Sequence, residues 1–276
     1  AAAGRRLYGS RDYSTYGPRF NHLRVTSSDA TSDYHSLQTQ FKRRFAAGLQ
    51  ALASYTWSHS IDSLTNETLV GLEDQRLSED RASSDTDRRH MFTAAMSWDI
   101  PAQPSVALAR ALLRGWGTDF TFRALSAPPI AIMIWPNSLY GAVRPNLVAG
   151  QPIWLHGAEF PGGRRLNPAA FQAPARDTQG NAPRNFVRGF GMSQLDLTVR
   201  REFGLTERAR LQFRAEAFNA LNTPNFADPM GTTYAYSFEP TYGLATQMLN
   251  TSLGGLNKLY QSGGPRSLQL GLKLLF

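Results

Sequence analysis

The 276-residue chain contains no cysteine. That removes disulfides, thiolate metal ligands and cysteine nucleophiles, and it suits an exported protein that avoids mispairing in an oxidising compartment. No window approaches the roughly 18 consecutive apolar residues that a membrane helix requires, so a membrane location has to rest on strands. Acidic residues are in the minority, 21 against 29 Lys and Arg, giving a formal charge of +8. The cations are scattered, with neither a dense basic run nor a nucleic-acid-binding motif, and nucleic acid is set aside as a partner. The opening stretch AAAGRRLYGS has no initiating Met and no apolar signal core. Residues 1–19 are therefore read as an irregular N-terminal segment of a processed chain or fragment.

Catalytic signatures are missing too. Nucleophile elbows, phosphate-binding glycine loops and HExxH do not occur, so no catalytic, cofactor or metal residue is assigned and the chain is read as a non-enzyme. His59, Ser60 and Asp62 stand close together in HSID, but neighbours at a strand end do not make a triad, whose members must converge in space. Asp85, Asp87 and His90 in DTDRRH lack the glycine and later glutamate of a calcium loop. A strand entry in which Arg88 and Arg89 pair locally or face headgroups is the simpler reading.

What the sequence does contain is a two-residue period. In RSLQLGLKLLF, Leu268, Leu270, Leu272, Leu274 and Phe276 share one face, while Gln269, Gly271 and Lys273 take the other. The pattern returns in SLQTQFKRRF, LQALASYTWSHS, MFTAAMSWDI, WGTDFTFRAL, SQLDLTVRREF and ARLQFRAEAF, and faintly in NHLRVTSS through Leu23 and Val25. These make eight candidate strands. The apolar parity carries Leu37, Phe41, Phe92, Phe120, Leu197 and Phe213. The other parity carries Lys42, Arg44, Arg123, Asp196, Arg200, Arg214, Glu216 and Lys273.

Connections alternate in length, short at 46–48 and 204–207, moderate at 101–115, long at 62–87, 127–190 and 221–265, with one exception near 29–32 that is short on the long-loop side. Short turns on one rim and long loops on the other are what an outer-membrane barrel shows. Eleven residues at about 3.3 Å each, tilted about 45°, span about 25 Å, the height of the apolar band on such barrels. Phe45, Trp98, Trp116 and Phe203 then fall near the short-turn rim, and Tyr55 and Trp57 near the other, the places of an aromatic girdle. Arg43 and Arg201 sit two residues before rim phenylalanines, where a long side chain reaches water. Alternating strands also suit a soluble sandwich or a self-closed eight-stranded barrel; the loop asymmetry and the rim aromatics favour a membrane barrel over the sandwich. The loops are unequal in charge: residues 62–89 hold eight acids and four bases, residues 127–191 six arginines and two acids. That asymmetry fits either solvated loops or a vestibule with one acidic and one basic side.

The stretches SDYHSLQTQFKRRFAAGLQALASYTWSHSID, SDTDRRHMFTAAMSWDIP, NPAAFQAPARDTQGNAPRNFVRGFGMSQLDLTVRREFGL and RLQFRAEAFNALNTPNF, with the terminal phenylalanine, resemble the C-terminal β-barrel of TonB-dependent outer-membrane receptors of the Oar-like group. The resemblance covers residues 20–276. It implies an all-β fold, an antiparallel transmembrane β-barrel segment of about eight meandering strands with short periplasmic turns and long extracellular loops. In that family the barrel has about 22 strands around an N-terminal plug. Plug and earlier strands have no counterpart here. The resemblance implies uptake of a bulky solute (siderophore, oligosaccharide or peptide) driven by TonB acting on the plug. Its further partners would be outer-membrane lipid and the barrel-assembly machinery, which reads the last strand through Phe276. Leu268, Leu270, Leu272 and Leu274 would then face lipid, and the eight charged residues of opposite parity the lumen.

Overall fold

The computed structural model describes residues 5–6, 30–63, 81–101, 105–134, 143–175, 178–229, 240–252 and 262–276. Seven long strands carry it: β1 (Ser32–Arg44), β2 (Leu49–Asp62), β3 (His90–Asp99), β4 (Trp116–Leu125), β5 (Met192–Gly204), β6 (Arg210–Phe218) and β7 (Ser267–Leu275). They form one antiparallel sheet in which each strand pairs with the next in sequence. A two-residue strand, Ala82–Ser83, lengthens it by pairing with Ile61 and Asp62. The expected strand around Leu23 and Val25 lies outside the described residues. Among the described residues no ladder joins β1 to β7, so both present an edge.

Register makes the alternation a property of the whole sheet. Phe41 lies opposite Ala53, which faces Ala94, which faces Phe122, which faces Leu195. Farther along, Leu197 faces Ala217, and Ala217 faces Leu268. Because direct cross-strand partners share a face, the apolar positions of seven strands merge into one surface. That surface is not packed under a second layer: Leu270 is 72% exposed, and Leu37, Phe41, Trp57, Val199, Leu268, Leu272 and Leu274 are exposed as well. A soluble sandwich would bury these side chains.

The turns follow local chemistry. Between β1 and β2 the chain reverses through Ala47 and Gly48, both at positive φ. A Cβ at Gly48 would stand 2.8 Å from the Asp99 carbonyl, so glycine fits where the turn meets the end of β3. Asn219, also at positive φ, ends β6: its side chain donates to the carbonyls of Thr223 and Gly264, accepts from Thr223 N–H, and its own N–H donates to Asp196. Asn225 accepts from Ser193 N–H. The NALNTPN stretch, residues 219–225, thus ties β6 to the starts of β5 and β7.

Two connections hold more than the sequence predicts. Residues 101–115 contain a helix, α1 (Ala107–Leu113). The long connection 127–190 folds through two- and three-residue ladders, Pro129–Ile130 with Val187–Arg188, Asn146–Leu147 with Phe171–Gln172, and Trp154–His156 with Arg164–Leu166. Strands this short carry no readable period. Ile130, Ile132, Leu166, Ala170, Phe171, Val187 and Tyr242 form the main buried apolar cluster of the described residues, so the core sits at the long-loop end rather than behind the sheet. Near the chain start, Arg5–Arg6 pairs with Thr178–Gln179.

Neighbouring positions in β7 test the two faces. Arginine at Leu270, mid-strand on the exposed apolar face, costs roughly 2–4 kcal/mol if that face meets hydrocarbon. Arginine at Gln269 joins the polar side opposite Glu216. Leu270→Arg is expected to abolish heat-modifiable migration in membrane fractions, and Gln269→Arg to preserve it; equal behaviour would refute the facing.

Candidate functional site

Three arrangements stand out, one on the polar side of the sheet, one on the apolar face near its two rims, and one at the long-loop end. The first is a ladder of charge. On β5, Arg200 reaches across two strands: its guanidinium binds Asp99 of β3 at 2.6 Å and Asp119 of β4 at 3.1 Å. Ser97 donates to Asp119 at 2.5 Å. Gly117 makes this possible, since a Cβ there would stand 2.6 Å from the Arg200 guanidinium carbon. Toward β6, Arg214 pairs with Glu216 at 2.9 Å and Gln212 donates to Glu202 at 2.8 Å. Asp196 accepts from Gln194 at 2.7 Å, and Gln194 in turn accepts from Gly263 N–H. Arg123 donates to Ser262 at 2.9 Å.

The residues expected along a lumen all fall on this polar face. Lys42 lies opposite Leu52, Arg44 opposite Gln50, Arg123 opposite Gln194, Asp196 opposite Thr121, Arg200 opposite Arg214, Glu216 opposite Gln269 and Lys273 opposite Gln212. Leu52 and Ala95, which face each other, are apolar interruptions of that face.

The second arrangement is the aromatic belt. Arg43 lies 4.9 Å from the Phe45 ring centroid, and Arg201 lies 5.1 Å from Trp116 and 4.5 Å from Phe203. Such stacking steadies a cation beside apolar surface by about 0.5–2 kcal/mol. Trp98 donates its indole N–H to the Ala47 carbonyl at 3.2 Å, fastening the β1–β2 turn. At the opposite end the Tyr55 hydroxyl meets His90 Nδ1 at 2.8 Å, and Trp57 lies opposite His90, the first residue of β3. Phe276, just past β7, is almost fully exposed.

The third is a clasp between loops. Among the described residues, three acids of the acidic loop, Asp62, Asp85 and Asp87, meet polar and basic side chains of the basic one. Arg184 binds Asp62 at 2.7 Å and Asp85 at 3.4 Å, Asn185 donates to Asp85 at 2.5 Å, and Arg188 binds Asp87 at 2.5 Å. The Asp87 side chain has no exposed area, and it also takes Arg89 at 3.1 Å and the Ser60 N–H at 2.8 Å. Arg88 instead donates to the Ser126 carbonyl. His59 faces Arg89 at 2.9 Å, while Asp62 is held by Arg184, so the members of HSID are drawn to separate partners. Nearby, Arg164 is stacked between Trp154 and Phe190 at 4.2 and 4.6 Å. Beside the clasp a cavity of about 200 Å³ is lined by Arg81, Arg144, Asn181, Pro183 and Arg184 among others. The opposite loop charges are visible in the sequence, but their pairing, which links positions about a hundred residues apart, is not.

Electrostatics shows how Asp87 is held. Burial opposes its charge, yet the Ser60 N–H and the Arg188 guanidinium outweigh that, and its carboxyl titrates below the ordinary aspartate range. A carboxylate with a lowered folded-state pKa stabilises fully above its unfolded value, about 3.9, and loses that contribution as pH falls through the lower folded value. Asp87→Asn is expected to weaken the clasp by about 1.5–3 kcal/mol, the range for a hydrogen bond to a charged group. Amide exchange in residues 184–189 should then accelerate roughly ten- to hundred-fold at neutral pH. Wild-type exchange should show the same loosening only below the ordinary aspartate range. Unchanged exchange in the variant would remove the clasp from the account.

Residues 1–269 match the family model described as an outer membrane beta barrel domain. No curated protein and no solved structure matches the chain. The match accounts for the geometry: an exposed apolar face against hydrocarbon, a charged face against water, short turns on the periplasmic rim and long loops outside. By this match the chain belongs to the outer membrane β-barrel domain family, and its place is the outer membrane.

Proposed function

We propose that this chain is the C-terminal part of the barrel wall of a TonB-dependent transporter that takes up a bulky solute: a siderophore, an oligosaccharide or a peptide. The observation that carries the reading is the pair of sheet edges. Among the described residues β1 and β7 pair on one side only. In hydrocarbon each unpaired backbone group costs several kcal/mol, so such edges call for further strands. A barrel wider than eight strands has a lumen that needs filling. A plug domain from outside this chain fills it, resting on Arg123, Asp196, Arg200, Arg214, Glu216 and Lys273.

In this reading the polar face does no chemistry and holds no cofactor. Its Arg200 ladder and the Arg214–Glu216 pair give the plug a wall of satisfied charges rather than bare cations. TonB acts through the plug, and the clasped extracellular loops support the solute entrance. Leu268, Leu270, Leu272 and Leu274 face lipid, and β7 is the strand handed to the barrel-assembly machinery.

A photoreactive phenylalanine analogue at Glu216 in the full outer-membrane protein is expected to cross-link to plug polypeptide, and the same analogue at Leu270 to lipid only. Cysteine pairs at Leu23 with Leu270 and at Gln38 with Gly271 are expected to form no disulfide. A cross-link from β7 to residue 23, or to β1, would establish a self-closed barrel and refute the transporter reading.

A further inference from the structure

One element takes no part in the wall or the clasp. α1 (Ala107–Leu113) stands in the β3–β4 connection on the periplasmic rim. Leu108 on it is 70% exposed, and Val106, Leu112 and Leu113 are exposed too. So much apolar surface within residues 106–113 calls for a cover. Its attachment shows which. The Trp116 indole N–H donates to the Leu112 carbonyl at 2.8 Å, tying the last turn of α1 to that ring. Trp116 belongs to the apolar face by register: it lies opposite Arg201, Arg201 opposite Phe213, and Phe213 opposite Leu272. The Arg201 guanidinium stacks on the same indole. α1 is therefore anchored to the lipid side of the rim, and its exposed leucines continue the surface set against hydrocarbon.

We propose that α1 is an interfacial anchor lying in the periplasmic leaflet. Val106, Leu108, Leu112 and Leu113 enter the boundary between headgroups and acyl chains, while Arg114 and Arg201 stand at the level of the phospholipid phosphates. Two observations select phospholipid over a protein partner. The apolar surface is continuous with the lipid-facing wall through Trp116, and the cations bordering it, the exposed Arg114 and the ring-stacked Arg201, complement anionic phosphates. Arg43 on Phe45 repeats the arrangement on β1. A helix in this place fixes the depth of the wall at β3 and β4, as flanking aromatic residues and arginines do for membrane segments generally.

This chain has no cysteine of its own, and any cysteine elsewhere in the full protein is replaced by serine so that each label is single. Nitroxide labels at Leu108→Cys and Leu112→Cys, in the full protein within isolated outer membranes, are compared with Leu270→Cys on the wall and Glu207→Cys in the tight β5–β6 turn. Accessibility is read from power saturation with oxygen, which partitions into lipid, and with a water-soluble nickel chelate. The α1 labels are expected to favour oxygen over nickel and to report a depth about 5–10 Å inside the phosphate level, between Glu207 and Leu270. Arg114→Glu is expected to shift the Leu112 label toward water. Nickel accessibility equal to that of Glu207 would overturn the proposal. So would shielding from both reagents, which would mean that protein covers the helix. Heat-modifiable migration of each labelled protein, with a Leu270 label reading deep, identifies assembled barrel, and Trp116→Phe, which removes the tie to Leu112, supplies a second variant in which the α1 labels should move toward water.

Discussion

A chain crossing hydrocarbon must satisfy every backbone amide and carbonyl within itself or with its neighbours, because the solvent offers neither donor nor acceptor. Between its two edges the seven-strand ladder meets that requirement, and the rest follows from it. Once the backbone is paired as a sheet, side chains leave it alternately on two sides. A one-residue slip between any two strands would put Arg200 or Glu216 among leucines. The register that places Phe213 opposite Leu272 also places Arg214 opposite Gly271. One hydrogen-bond pattern therefore decides both solvents at once.

The usual place of a protein core is moved as a result. A membrane wall cannot fold its apolar side inward, so the largest buried cluster among the described residues is built beyond the sheet, around Leu166, Phe171, Val187 and Tyr242. Burial there pushes the Tyr242 phenol up to about 12. The charges divide the same way. Asp62 and Asp87, which would be costly in hydrocarbon, are held at the loop end by Arg184 and Arg188. Arg43 and Arg201 stand on the apolar face of the sheet only where aromatic rings flank them at the rim.

The wall was legible in the sequence because a strand with different solvents on its two sides writes its period into consecutive residues. Leu268 to Leu274 needs no distant information to be read, and the faces of β1 to β7 follow from parity. The loop body was not legible for the opposite reason. Pro129–Ile130 and Val187–Arg188 are two residues long, and what selects them as partners is packing around Ile130 and Val187 rather than any local pattern. Loop charge was visible as composition, but composition cannot say that Arg184 and Asp62 meet. α1 fell between the two cases, since seven residues are too few for a helical period to stand out among alanines and leucines.

The clasp bears on how the molecule is made. Each strand of the sheet pairs with the one before or after it, so the wall can grow hairpin by hairpin. The contacts of Arg184 with Asp62 and of Arg188 with Asp87 close spans of 122 and 101 residues. Contacts of such separation form only after the chain between them has been ordered, because the entropy of closing the span comes first. Closure of the clasp thus follows pairing of the strands, and a barrel caught before it closes would present its loops open to proteases while its strands are already paired.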